Sequence, residues 1–222
     1  MDIKNFYEKH KGETCLLVGI GPNLTLTPPE WFNYPSFSVN TIFKYQGWKP
    51  TYYVGVDARL FRDNRNEILE AYSDIPKFIP SPDQDAFTGD NIYRFFHRSG
   101  DVMIGGRLPN QKGGLTDIGI TYYRVMDAVL QIAWHMGFAT MLMIGVQHKP
   151  PTKDEPLSDV MHFWGPDLIA VQHSLEHWYN GYKTVIRSMG TGVNVLNISE
   201  DTYVPEDVIA RDDFRKWKNK NV

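Results

Sequence analysis

Short apolar runs that stop at glycine, asparagine or aspartate recur along this chain, and they are what most constrains its fold. TCLLVG (14–19), SFSVN (36–40), TYYVGVD (51–57), KFIP (77–80), ATMLMIGV (139–146) and VNVLNIS (193–199) are rich in β-branched, aromatic or aliphatic residues and too short for buried helices. Between them lie stretches with room for helical turns. TIFKYQGW (41–48) allows about two turns, and ARLFRDNRNEILEAYSD (58–74) carries Leu60, Phe61, Ile68, Leu69 and Tyr72 among charges, as an exposed amphipathic helix does. Strand, short crossover and strand repeated in this way predict an α/β fold: a Rossmann-like, mostly parallel sheet with helices on both faces. Ligands of such sheets bind beyond the carboxyl ends of the strands. Here those ends are Gly19 to Asn23, Asn40, Asp57, and Gln147 with His148.

The remaining segments frame this core. Residues 2–10 read as a short leading helix, and 81–114 as loops around short strands. TDIGITYYRVMDAVLQIAWHMGF (116–138) is apolar on nearly every face, which predicts a helix of about five or six turns, buried on several sides and ending near Gly137. The proline-containing stretch 150–166 reads as a lid-like loop, 167–187 as a helix, and 211–222 as a solvated tail. With 222 residues and no internal shift in composition, a single domain spanning 1–222 is expected.

Composition narrows the function classes. Apolar residues at 42% against 22% charged support a sizeable core, and a net charge of −3 offers no bulk attraction to nucleic acid or anionic lipid. The single cysteine, Cys15, falls in the first strand and has no intramolecular partner. The amino-terminal stretch is charged, and the longest apolar run is too short to span a bilayer, so a cytoplasmic location is expected, at most peripheral to the membrane.

Several constellations carry chemistry. In GIGPN, Gly19 and Gly21 leave space for a ligand to approach the main chain, Pro22 stiffens the turn and Asn23 offers a side-chain hydrogen bond; Leu24 breaks the full dinucleotide fingerprint. In KGGLTD, Gly113 and Gly114 lead into the long helix with Thr116 as its N-cap, an arrangement suited to phosphate or carboxylate. Asp57, Gln147 and His148 end strands where a ribose, base or hydroxyl would lie. His162, in MHFWG, is the candidate general base, because imidazole titrates near neutrality. Two metal-like patterns are set aside. His173 and His177 of HSLEH fall opposite the apolar stripe of their helix and are expected to face water, and Asp83 and Asp85 of DQD fit turn chemistry. No metal site is assigned.

CLLVGIGPNL, SVNTIFKYQGWKPTYYVGVD, GGLTDIGITYYRVMDAVLQIAWHMGFATMLMIGVQH and HFWG occur in that order across roughly residues 13–166. In this the chain resembles the family of 6-hydroxymethylpterin diphosphokinase-like proteins and motility accessory glycosyltransferases, and is similar to the related bacterial lipooligosaccharide sialyltransferases. The resemblance implies donor-nucleotide contacts at Gly19, Gly21, Asn40, Gly113, Gly114 and Thr116, with His162 as base on the acceptor hydroxyl. Two positions depart from the family pattern: Ile20 stands where asparagine is usual, and Gln147 where a carboxylate is usual. The second departure weakens a metal-dependent diphosphokinase reading, because a neutral amide is a poor ligand for magnesium.

The expectation is therefore a sialyltransferase-like glycosyltransferase without a cofactor, passing a sugar from a CMP-sugar-like donor to a glycan or small-molecule hydroxyl. The alternatives are an ATP- and Mg2+-dependent diphosphokinase, or an inactive nucleotide- or sugar-binding protein of the same fold. A homo-oligomer is compatible with the aromatic content.

Overall fold

A strand sends successive side chains to opposite faces of its sheet, so a strand apolar at every position must be covered on both sides. The first strand shows this: Cys15 and Leu17 enter one core, Leu16 and Val18 the other. The computed structural model describes residues 3–81, 89–96, 124–150, 160–167 and 175–219. In chain order its strands are β1 (Thr14–Val18), β2 (Ser36–Val39), β3 (Tyr52–Val54), β4 (Lys77–Ser81), β5 (Ile92–Phe96), β6 (Thr140–Ile144), β7 (Val160–His162), β8 (Gly165–Asp167), β9 (Asn194–Asn197) and β10 (Ala210–Arg211). The helices are α1 (Ala58–Asp63), α2 (Arg65–Ala71), α3 (Val125–His135) and α4 (Leu175–Met189).

Among the described residues eight strands form one sheet in the order β10-β9-β6-β1-β2-β3-β4-β5. Every pairing in it is parallel. The fold is the expected Rossmann-like α/β arrangement. On one face Cys15, Leu17, Phe37, Val39, Met141 and Met143 pack against α3 and against Tyr182 and Val185 of α4. On the other, Leu16, Val18, Tyr53, Leu142 and Ile144 pack against Leu60, Phe61 and Ile68 of α1 and α2. All eleven residues of α3 are buried, as its unbroken apolar surface requires. From β1 the chain moves outward through β2 to β5 and then returns to β6 on the other side of β1, so the order reverses beside β1, where the ligand crevice of such folds lies.

Several expectations need correction. The predicted helix over 58–74 is two helices that meet at Asn64, whose backbone is non-helical (φ −127°, ψ 25°) and whose side-chain amide donates to the Leu60 carbonyl at 3.2 Å. Asparagine competes with the helix for backbone partners in this way. The segment from 211 is not a solvated tail. β10 pairs with β9, Phe214 stacks on Trp31 with centroids 5.6 Å apart, and the Asn219 amide donates to the Trp31 carbonyl at 2.8 Å. Its aromatic residues outweigh its charges: Phe214 is buried, and the Trp217 indole donates to Asp212 at 2.9 Å. The expected lid loop ends in structure, because β7 and β8 form a two-stranded antiparallel hairpin apart from the main sheet. The long helix is described from Val125 and turns at Gly137 (φ +91°), close to the expected stop.

Candidate functional site

The ends of β1 and β6 continue side by side past the sheet. Gly19 N–H donates to the Ile144 carbonyl and Gly21 N–H to the Gly145 carbonyl, both at 2.8 Å. A Cβ on Gly19 would lie 2.5 Å from the Gly145 oxygen, and one on Gly21 would lie 2.7 Å from the same atom. These glycines therefore have a packing requirement independent of any ligand: two backbones meet where a side chain has no room. Pro22 opens a short 3-10 helix, Pro22–Thr25. Asn23 turns inward. It is 1% exposed and its amide donates to the carbonyls of Glu200 (2.9 Å) and Asp201 (3.3 Å), so it clamps the β1 loop to the β9 loop.

Asn40 differs from these. It ends β2, opens the 3-10 helix Asn40–Lys44, and holds φ +45°, a left-handed conformation that asparagine tolerates better than most residues. Its carbonyl accepts from the Tyr53 hydroxyl at 3.1 Å, while its side-chain oxygen is buried with no hydrogen-bond partner. A left-handed backbone and an unmet buried acceptor thus coincide on this one residue.

The β7–β8 hairpin reaches this same place. Phe163 N–H donates to the Ile20 carbonyl at 3.0 Å, the Trp164 indole donates to Thr41 Oγ1 at 3.1 Å, and Lys44 Nζ lies 3.9 Å from the centre of the Trp164 ring. Half-buried His162 is thus carried to the ends of β1 and β2, its ring centroid 5.0 Å from that of Trp164.

On the β6 side, Gln147 donates to the Asp201 carboxylate at 2.7 Å, so a carboxylate does stand at this edge, but from the β9 loop. His148 (φ +51°) shares a 3.0 Å hydrogen bond between its Nε2 and the Tyr182 hydroxyl. Burial, with the Arg124 charge adding to it, lowers the His148 pKa to about 3, and burial chiefly raises the Tyr182 phenol to about 12. Arg124 lies over the Tyr182 ring at 3.8 Å, pairs with buried Asp127 at 2.7 Å and donates to the Trp178 carbonyl at 2.8 Å. Gly181 of α4 faces this pair, and a Cβ there would sit 3.2 Å from the Arg124 guanidinium. Asp57 caps α1, accepting from the Arg59 amide at 2.8 Å, and stands 3.7 Å from the Arg59 guanidinium. That cap meets a helix-end requirement without any ribose or metal.

Gly113, Gly114, Thr116, Asp83, Asp85 and His173 lie outside the described residues. His177, expected to face water, is half-buried, because α4 is covered over more than its one apolar stripe. Among the described residues, no group of three His, Cys, Asp or Glu side chains could hold a metal ion. No helix among them is long and apolar enough to cross a membrane.

No family model and no curated protein sequence matches the chain. Among solved structures, the MAf glycosyltransferase from Magnetospirillum magneticum AMB-1 is similar with a TM-score of 0.59 at 12% identity, over 96% of this chain and 36% of that one. The sialyltransferase CstII from Campylobacter jejuni, solved with cytidine-5'-monophosphate, is similar with a TM-score of 0.50 at 8% identity, over 96% of this chain and 89% of that one. The fold is shared with both of these structures. At these identities the likeness is one of fold, and the chain spans about a third of the MAf protein's length. Neither structure is a diphosphokinase, so this glycosyltransferase-like fold bears on one half of the sequence resemblance only.

Sequence reasoning gathered Gly19, Asn40 and His162, which the fold brings together, and Asp57, to which it gives a capping role. It missed Thr41, Lys44 and Trp164, although Trp164 sat within the HFWG motif. It also missed Arg124 and Asp127, whose signal was plain: an oppositely charged pair three residues apart in an otherwise apolar helix.

Proposed function

We propose that this chain is a glycosyltransferase that uses a nucleotide-activated, sialyltransferase-like donor. The observation that carries the reading is the docking of the His162 hairpin onto the ends of β1 and β2, beside an Asn40 side-chain oxygen with no internal partner. A buried amide oxygen left unpaired costs about 1–3 kcal/mol, and an amino or hydroxyl group of a nucleotide relieves that cost. The donor lies along the Gly19–Pro22 backbone and Asn40, with Gln147 and His148 bordering it on the β6 side. His162 takes the proton of the acceptor hydroxyl as that oxygen bonds to the anomeric carbon, and the bond from that carbon to the nucleotide phosphate breaks. The nucleoside monophosphate leaves with the electron pair. Asn23 donates its amide to two backbone carbonyls, while its own side-chain oxygen, like that of Asn40, is buried with no hydrogen-bond partner.

A thermal-shift panel with CMP, ATP and GTP, each with and without magnesium, followed by a turnover assay on CMP-activated sugars, tests this reading. CMP is expected to stabilise the protein without magnesium, and a CMP-sugar to be consumed. Stabilisation by ATP alone, and only with magnesium, would sink it in favour of a phosphotransferase. CMP binding with no turnover of any nucleotide sugar would make the chain a binding protein.

A further inference from the structure

The hairpin that carries His162 is held to the sheet by the two residues after the histidine. Its strands are three residues each, and a two-stranded hairpin is at best marginally stable by itself, so its tip contacts fix where it lies. Phe163 N–H on the Ile20 carbonyl pins the turn to the end of β1. Trp164 adds an attachment on the neighbouring strand end: its indole N–H, which can only donate, finds Thr41 Oγ1 at 3.1 Å. The Lys44 ammonium sits 3.9 Å from the ring centre, a cation on an aromatic face. Thr41 and Lys44 lie on the same 3-10 helix that Asn40 opens, so one five-residue segment presents the unmet Asn40 oxygen and also seats the hairpin. Position 20 contributes through its main-chain carbonyl, a contact that isoleucine supplies as well as asparagine would.

We propose that Trp164 is a positioning residue that sets His162 over the acceptor hydroxyl by docking the hairpin on Thr41 and Lys44. The proposal rests on the transferase reading for its effect on rate, but the docking can be measured without it. The experiment compares the full chain with Trp164→Ala, Trp164→Phe and Thr41→Val, following amide hydrogen exchange at Phe163, CMP affinity, and kcat and KM for a CMP-sugar. Trp164→Ala should speed exchange at Phe163 about tenfold. It should also lower kcat about 100-fold, as a misplaced catalytic group does, with CMP affinity and donor KM held within about threefold. Trp164→Phe, which keeps a ring for Lys44 and loses the N–H, should recover part of both effects and match Thr41→Val. A Trp164→Ala protein with Phe163 still protected and kcat within about threefold of wild type would overturn the proposal. If the wild type consumes no nucleotide sugar, the transferase reading fails on its own, and exchange at Phe163 still decides the docking: faster exchange supports it, unchanged exchange overturns it.

Discussion

At the amino edge of the sheet, where the strands begin, the Lys77 and His10 side chains find partners within the chain; at the carboxyl edge the Asn40 side-chain oxygen does not. Lys77, 0% exposed at the start of β4, donates to the carbonyls of Tyr72 and of Ile75, the latter at 3.0 Å, and so closes the end of α2. Burial lowers its pKa. His10 bridges Glu13 (3.0 Å) and the Tyr52 hydroxyl (2.7 Å) and stacks on Phe138 with centroids 4.5 Å apart. The Tyr52 phenol is raised to about 12, chiefly by burial. At the other edge, Asn40 keeps an unmet oxygen on a left-handed backbone. Polar groups at the first edge lower the energy of the folded chain. Left-handed residues occur at both edges, Glu8 and Asn91 at the first and Asn40, His148 and Asp201 at the second, so what distinguishes Asn40 from Lys77 and His10 is its unmet oxygen.

The widest separation between the edges should appear at their histidines and lysines. His162→Ala is expected to reduce turnover of a CMP-sugar by about 10²- to 10⁴-fold while CMP affinity and melting temperature stay nearly unchanged. Steady-state kinetics and calorimetry check this, and full activity would remove the carboxyl edge's claim to chemistry. Lys77→Ala should do the reverse, costing about 2–3 kcal/mol in urea denaturation by stranding two carbonyls, with CMP affinity intact. A loss of binding in that variant, measured well below its unfolding midpoint, would erase the distinction between the edges.

The smallest effect concerns pH. Because the His148 pKa is lowered to about 3 in the folded chain, the unfolded state takes up a proton first as pH falls. The contribution of this histidine is fully present above its unfolded value of about 6.5 and is lost on the way down towards about 3. Between pH 7 and pH 6 it should cost about 0.7 kcal/mol, and at most about 1.4 kcal/mol for each further unit. The stability difference between wild type and His148→Phe, followed from pH 7 to pH 5, should show that slope. A flat difference would place His148 in water.

Much of the fold was legible because it is written locally. Unbroken apolar runs at Cys15–Val18 and Met141–Ile144 demand cover on both faces, and the all-round apolar surface of α3 demands burial. Asn64 and the 211–219 segment were misread because their outcome depends on partners: one carbonyl for the asparagine, and the ring of Trp31 for Phe214. The glycines at 19 and 21 also meet a demand the sequence does not display, since the atom that would crowd a side chain there belongs to Gly145.

By itself, then, the order of residues determined a parallel α/β sheet and the strand ends that could face a ligand, because side-chain periodicity acts over a few residues at a time. Only the tertiary structure decided which ends meet. Thr41 and Trp164 are 123 residues apart, and their hydrogen bond exists because the sheet sets β1 between β2 and β6. Strand order is a property of all the pairings together, and no short window of the chain contains it.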